Sequence, residues 1–298
     1  MPVDRVEISE RARRLTARLS SCDLCPRICR VDRIADERGV CRTGRFARVT
    51  SFGPHFGEEA PLSGIRGSGT VFFSQCNLHC AFCQNFDISH HEEGREVDAE
   101  SLAAVFLSLQ KSGCHNLNLV TPTHVTPQIV EALAAAKAIG LSMPVVYNCG
   151  GYEKVETLRE LEGLIDVYMP DVKFLSTEAA DRYCEAPDYP DAVRSAVREM
   201  ARQVGPLILD RHGIARKGLL VRHLVMPADA STTRGVMDFL AGEIGTDTYL
   251  NLMDQYRPCG RAFSFPEIAR RTTRAEWAAA REYALQKGMS RLDGDRVR

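Results

Sequence analysis

A chain of 298 residues is long enough for one large domain, or one domain with a small appendage. Its formal net charge of −1 argues against a nucleic-acid or membrane-surface protein, because those carry a marked basic excess. No apolar run reaches the ~18–20 residues of a membrane-spanning helix, and the charged start MPVDRVEISERARRLTARLS has no signal-peptide core, so a cytoplasmic protein is expected.

In chain order, the first 60 residues are cysteine-bearing and arginine-rich, and they run on as a loop-like stretch through SFGPHFGEEAPLSGIRGSG. They read as a small Cys-rich module over 1–60, ahead of a main domain over 61–270 and a C-terminal helix and tail over 271–298. From residue 70, short apolar runs alternate with helical patterns. TVFFS (70–74) predicts a strand. Asp98 as a cap, Leu102, Val105, Phe106 and Leu109 on one face, and Gly113 as a stop predict a helix. NLNLV (116–120) predicts the next strand. Thr126 and Pro127 open a helix that ends near Gly140, and PVVYN (144–148) follows as a strand. Val155, Leu158 and Leu161 mark a helix before the strand LIDVYMPDV (164–172). DAVRSAVREMARQVG (191–205) is helical by spacing, and GLLVRHLVM (218–226) is strand-like. RGVMDFLAGEIG (234–245) is helical again, and TYLNLM (248–253) makes a sixth strand.

Six strands with helices between them predict parallel βα units and an α/β sheet. An open sheet and a barrel fit this periodicity equally, and in both functional residues gather at the C-terminal ends of the strands. TRAEWAAAREYALQKG (273–288) opens with a Thr273/Glu276 capping box and predicts a terminal helix, with Trp277 as a packing residue.

In a reducing compartment, clustered cysteines are metal ligands more often than disulfides. Seven of the eleven cysteines form two sets, Cys22/Cys25/Cys29/Cys41 and Cys76/Cys80/Cys83. Cys114, Cys149, Cys184 and Cys259 are scattered and read as small buried hydrophobes. The triad, C-x3-C-x2-C, begins two residues after the first predicted strand. Three thiolates can hold three corners of a [4Fe–4S] cube that normally takes four, and by analogy with catalytic zinc sites an open position means chemistry. Zinc is the competing occupant, but only His90 and His91 follow as further ligands, and those read as a solvated pair. The other set, C-x2-C-x3-C-x11-C, suits a closed structural zinc or an auxiliary iron–sulfur cluster, and spacing does not choose between them. A module short of apolar residues gains order from a metal.

The loop SQCNLHCAFCQN after a first strand, with Phe82 before its last cysteine, resembles the signature loop of the radical S-adenosylmethionine enzymes. CNLHCAFCQN, together with the N-terminal CDLCPRICRVDR…GVC, is most similar to the pyruvate formate-lyase activating enzymes and their uncharacterised relatives. The resemblance runs over roughly residues 20 to 260. It implies a partial (β/α)6 barrel of parallel strands, with Cys76, Cys80 and Cys83 as the catalytic cluster ligands and S-adenosylmethionine on the open iron. Reductive cleavage would give methionine and a 5′-deoxyadenosyl radical that abstracts hydrogen from a substrate, with the barrel positioning and shielding that chemistry.

Further positions carry over one at a time. Phe82 borders the cofactor site. After the second strand the family has a Gly-Gly-Glu-like turn, where this chain has VTPTH, so Thr121, Thr123, His124 or backbone carbonyls take that contact. NCGG resembles the Asn-Gly turn that places Asn148 and Gly150 against the cofactor. DVK resembles an Asp-x-Lys that places Asp171 and Lys173 near the methionyl carboxylate or the substrate backbone. VRHLVMP resembles a strand whose arginine, Arg222, grips the carboxylate bidentately, with His223 on the opposite face. Asn251, Gln255 and Tyr256 in NLMDQYRP lie toward the substrate. The implied partners are an electron-donating protein such as flavodoxin or ferredoxin, and a glycyl-radical enzyme. The alternative is a small molecule or peptide side chain modified by the same chemistry. A non-catalytic iron–sulfur electron-transfer protein would explain the cysteines but not Asp171, Lys173 and Arg222 at strand ends.

Overall fold

Strands whose residues are buried on both faces form the centre of the computed structural model, which describes residues 3–294. The strands are β1 (Ala47–His55), β2 (Ser68–Phe73), β3 (Arg95–Val97), β4 (Leu117–Val120) and β5 (Val145–Cys149), then β6 (Val167–Pro170), β7 (Ile208–Leu209), β8 (Ala215–Leu224), β9 (Tyr249–Met253) and β10 (Arg291–Leu292). They make one ten-stranded sheet in the order β10-β9-β8-β6-β5-β4-β2-β1-β3, with β7 folded back on β8. From β2 through β4, β5, β6 and β8 to β9 every pairing is parallel. The sheet is not closed: it ends in β10 on one side and in antiparallel β1 and β3 on the other. Every residue of β4, β5 and β6 is buried, as a parallel sheet covered on both faces requires.

All six predicted strands are present, within a few residues of their expected bounds. The loop-like reading of residues 51–55 is corrected: they complete β1, with Phe52 opposite Val71 and Pro54 opposite Gly69. Gly53 and Pro54 hide the strand in the sequence. Pro54 is tolerated because β3 pairs only with Ala47–Val49, so the far side of β1 is an edge at Pro54.

The helices are α1 (Arg5–Ala17), the one-turn α2 (Ala60–Ser63), α3 (Phe86–His90), α4 (Ala99–Lys111) and α5 (Thr126–Ala138), then α6 (Val155–Glu160), α7 (Thr177–Cys184), α8 (Tyr189–Val204), α9 (Thr233–Phe239) and α10 (Arg274–Gln286). α1, which the sequence reading did not place, is capped by Asp4, whose carboxylate accepts from Glu7 N. It buries Ile8, Ala12 and Leu15 and packs on α5, where Thr16 Oγ1 donates to Glu131 at 2.9 Å. α4 has its Asp98 cap, accepting from Ser101 N. α10 has the predicted capping box, and Trp277 both packs and donates to Leu252 O at 2.9 Å. Residues 295–298 of the expected C-terminal tail, and residues 1 and 2, lie outside the described residues. No helix among the described residues is long and apolar enough to cross a membrane.

Thr273 and Glu276 satisfy each other's backbone N–H groups at the start of α10. Thr273→Ala is expected to cost about 1 kcal/mol of stability, read as a lowered denaturant midpoint at unchanged slope.

Candidate active site

The chain leaves β2 in a tightly wound loop. Gln75 and His79 both take left-handed backbone, at φ of 73° and 53°. Non-glycine residues hold that conformation only where their surroundings over-determine it, and here they do. Gln75 N donates to Ile88 O, and Ala81 N to Tyr183 O, both at 2.8 Å. Asn77 Nδ2 donates to Tyr152 O at 2.9 Å. Arg27, from the N-terminal segment, donates to the carbonyls of Asn77 at 3.0 Å and Cys184 at 2.9 Å. Phe82 is buried edge-on against Phe174, with ring centroids 5.8 Å apart.

This winding turns Cys76, Cys80 and Cys83 into one cavity of ≈ 240 Å³, together with Phe82. The same cavity is lined from strand ends: Thr121 after β4, Asn148 and Gly150 at β5, Asp171 and Lys173 after β6, and Arg222 on β8. Gln255, after β9, completes it.

The three thiols are free of disulfides. Burial, and then the neighbouring Cys80, push the Cys76 thiol up to about 12. Burial raises Cys83 as well, while a hydrogen bond with Cys184, followed by burial, raises Cys80. These thiols ionise only if a cationic centre takes them as ligands. Donors to sulfur are in place: Leu78 N lies 3.3 Å from Cys76 Sγ and Ser89 Oγ 3.2 Å from Cys83 Sγ. Three soft donors on one wall, with hydrogen bonds ready for their charged forms, fit an iron–sulfur cluster. Among the described residues no three such side chains are already drawn to the distances of a single bound ion. Cys149 also lines the cavity, but its thiol is hydrogen-bonded to the buried Glu153.

A buried layer of ions lines the same cavity as the thiols. Asp171 accepts from Lys173 Nζ at 2.6 Å and from Arg222 Nε at 2.7 Å. Arg222 Nη2 donates to Asn148 Oδ1 at 2.7 Å. Burial pushes the Asp171 carboxyl up, but Arg222 and Lys173 outweigh it and hold it at about 2. Tyr189 OH accepts from Lys173 N at 3.0 Å and lies 2.9 Å from the carbonyls of both Gly150 and Asp171, tying the ends of β5 and β6 together.

Several expectations need correction. Arg222 does not present a free fork: Asp171 and Asn148 occupy it, and its remaining nitrogen lies 3.9 Å from Glu58 and Glu59. Thr123 and His124 do not line this cavity. Thr121 takes left-handed backbone at φ 60°, and the 3-10 turn Thr123–Val125 that follows carries both side chains elsewhere. Thr123 bonds Glu153. His124 Nε2 donates to Ser74 O at 2.9 Å, and the ring instead borders a small cavity lined by Cys22, Cys25, Cys29 and Cys41. Asn251 bonds Glu59 and Tyr256 bonds Ile268 O, so of the three weaker substrate-side residues only Gln255 reaches the cavity. His90 is not simply solvated but stacks on Phe86 at 4.0 Å, while His91 is exposed. His223 is buried between Val172 O and Thr233, as a packing residue. Cys114, Cys149 and Cys184 are buried as expected, and Cys259 is half-buried.

Gly150 lines the cavity, but the glycine the backbone requires is its neighbour. Gly151 has φ +78°, and a Cβ there would stand 2.4 Å from Asp171 O. Tyr189, Glu58 and Glu59 carried no local signal, since each meets the site from an element distant in sequence.

A family model described as the radical SAM superfamily matches residues 70–211. The chain is 31% identical over 271 residues to the uncharacterized protein MJ0674 of Methanocaldococcus jannaschii, covering 89% of this chain and 74% of that protein. Among solved structures it is similar to a radical SAM methyltransferase from Sphaerobacter thermophilus, with a TM-score of 0.51 at 14% identity over 75% of this chain. It is also similar to HydG, a maturase of the [FeFe]-hydrogenase, with a TM-score of 0.50 at 14% identity over 73% of this chain. The chain spans 65% and 49% of those two chains, and identities this low speak for the fold alone.

Because Asp171 is held below its ordinary value, its ion pairs stabilise the fold fully above pH ~4, and that stabilisation is lost as pH falls toward ~2. Asp171→Asn is therefore expected to cost about 2 kcal/mol at neutral pH, with the gap to wild type narrowing in denaturant titrations below pH ~4. Gly151→Ala is expected to cost roughly 2–3 kcal/mol, combining a left-handed backbone with a clash. The comparison is Gly140→Ala, at φ +107° with open space around it, which should cost only about 1 kcal/mol.

Proposed function

The chain belongs to the radical S-adenosylmethionine superfamily, and from that premise we propose that it is a radical oxidoreductase that removes hydrogen from a glycyl residue of a partner enzyme. The observation that carries the reading is that three free thiols and the Lys173–Asp171 pair line one cavity. Cys76, Cys80 and Cys83 would hold a [4Fe–4S] cluster whose fourth corner is left to the cofactor. When bound, the cluster supplies the electron that splits the sulfonium of S-adenosylmethionine into methionine and a 5′-deoxyadenosyl radical.

The chain's own residues bind and orient. Lys173 is the cation with capacity to spare: of its three N–H donors, Asp171 takes one. It is therefore the better anchor for the methionyl carboxylate than Arg222, which instead holds Asp171 and Asn148 in place. Ionised Asp171 keeps Lys173 charged in a buried setting, where burial alone would lower it. Thr121 and Gly150 bring backbone to the cavity wall. Phe82 fixes the loop against the aromatic residues behind it.

The cofactor would occupy this cavity, and the substrate would arrive at its mouth as an extended segment of another protein. The same reading includes a reducing protein such as flavodoxin or ferredoxin, a cytoplasmic setting, and a second metal on Cys22, Cys25, Cys29 and Cys41.

The first test is anaerobic. The iron-reconstituted, reduced protein should give a [4Fe–4S]+ EPR signal that changes when S-adenosylmethionine is added, and should release 5′-deoxyadenosine. Cys80→Ala should abolish both, and Lys173→Ala should weaken cofactor binding about 10- to 100-fold through loss of a charge-assisted bond. Cofactor cleavage without any radical appearing on a glycyl-radical protein mixed with it would exclude that partner class and leave the small-molecule or peptide alternative.

A further inference from the structure

We propose that a second cleft beside the three-cysteine loop is the docking surface of the reducing protein, an acidic one-electron carrier whose electron enters through His90 and Ser89. The inference rests on the reading above and names the face that its reductant uses.

The cleft is lined by His79 of the loop, by Phe86, His90 and His91 after it, and by Arg42 and Arg261. None of these residues lines the cofactor cavity. Segments far apart in sequence meet here. α3 stacks Phe86 on His90 with ring centroids 4.0 Å apart, and the His90 and His79 rings are 5.1 Å apart. Arg42 Nη1 donates to His90 O at 3.1 Å. Gly260 has φ +52°, and a Cβ there would overlap the Phe86 ring, so glycine lets the turn that carries Arg261 close on α3.

Two observations select an acidic electron carrier. The first is a route. His90 Nδ1 lies 2.8 Å from Ser89 Oγ, which donates to Cys83 Sγ at 3.2 Å. Two side chains joined by hydrogen bonds thus connect the cleft to one of the three thiols. Ser89 lines the cofactor cavity and His90 lines the cleft. With S-adenosylmethionine in the cavity and the substrate at its mouth, the cleft gives a reductant a separate approach to the loop.

The second is charge. Arg42 donates to the His90 carbonyl, and Arg27 to the carbonyl of Glu185, a residue that also lines the cleft. Among the described residues neither arginine pairs with a carboxylate, and a guanidinium bonded to carbonyls keeps its full charge. Arg261 meets the Glu185 carboxylate at 3.2 Å. Guanidinium groups at Arg27, Arg42 and Arg261 thus stand against the single carboxylate of Glu185, on a chain whose net charge is −1. A local excess of one sign attracts and orients a partner of the other. In the step itself the carrier's anionic flavin hydroquinone gives up one electron and becomes the neutral semiquinone, reducing [4Fe–4S]2+ to [4Fe–4S]+, and no proton moves.

The test uses the full, iron-reconstituted chain and two donors: flavodoxin hydroquinone, an acidic protein, and the methyl viologen radical, a small cation. Stopped-flow reduction by flavodoxin should slow as salt rises. Arg42→Glu/Arg261→Glu should slow it about 10-fold or more at low salt, whereas Arg42→Lys/Arg261→Lys keeps the charge and most of the rate. Reduction by methyl viologen should slow in neither variant. Apart from electron transfer, oxidised flavodoxin should slow amide hydrogen exchange across residues 86–91 of wild type but not of the charge-reversed variant. Equal flavodoxin rates in wild type and the charge-reversed variant, or protection confined to other segments, would overturn the docking surface and leave the radical reading standing. A cluster that neither donor reduces would overturn that reading and the inference with it.

Discussion

The rim of the site depends on one buried carboxylate. Asp171 lies between Arg222 and Lys173, with Asn148 on the far side of the guanidinium, so that β5, β6 and β8 are tied at their C-terminal ends. The strands alone would not do this: β6 and β8 pair regularly only at Val167 and Tyr168, and then meet again through the isolated Asp171–Arg222 bridge. A buried charge is expensive unless it is paired and hydrogen-bonded, and removing one partner of such a set leaves the others uncompensated. The layer therefore holds together or fails together, and the strand ends inherit that rigidity. A ligand entering the cavity meets a fixed wall in which Lys173 spends one of its three donors on Asp171.

The sequence made the sheet legible because parallel strands buried on both faces appear as unbroken apolar runs. LNLV, VVYNC and VYMP are such runs, and each became a strand. β1 escaped because an antiparallel strand near an edge tolerates the signals that elsewhere mark loops, here Gly53 and Pro54 and the exposed Phe52. The cysteine triad was legible for a related reason: it is local, and a single loop fixes its geometry.

Side-chain partnerships across the sheet were not legible. Arg222 and Asp171 stand 51 positions apart, and nothing in the spacing reveals that the arginine is already engaged. His124 shows the same limit. Its place after the second strand suggested the cofactor wall, but one left-handed residue at Thr121 was enough to turn it toward the four N-terminal cysteines. Backbone handedness at a single non-glycine position is set by the tertiary contacts around it, so it could not be read from VTPTH alone.

The two cysteine sets show how surroundings divide the duties of one residue type. Around the triad the cavity is also lined by Lys173, Asp171 and Asn148, groups able to orient a polar ligand. Around the N-terminal four the space is nearly closed, and the two guanidinium groups on its wall are spent on backbone carbonyls. An open donor set beside uncommitted polar groups suits reaction, and a closed one whose neighbours are all engaged suits support. Asn77 belongs to both, since it lies between Cys76 and Leu78 and also lines the closed cavity. Order in the N-terminal segment is thus transmitted to the reacting loop through Arg27, which donates to the Asn77 carbonyl, and through Asn77, whose side chain is in turn fixed to the Tyr152 carbonyl. The segment is buttress as well as appendage: without it the loop would lose Arg27 and the wall behind Asn77 together.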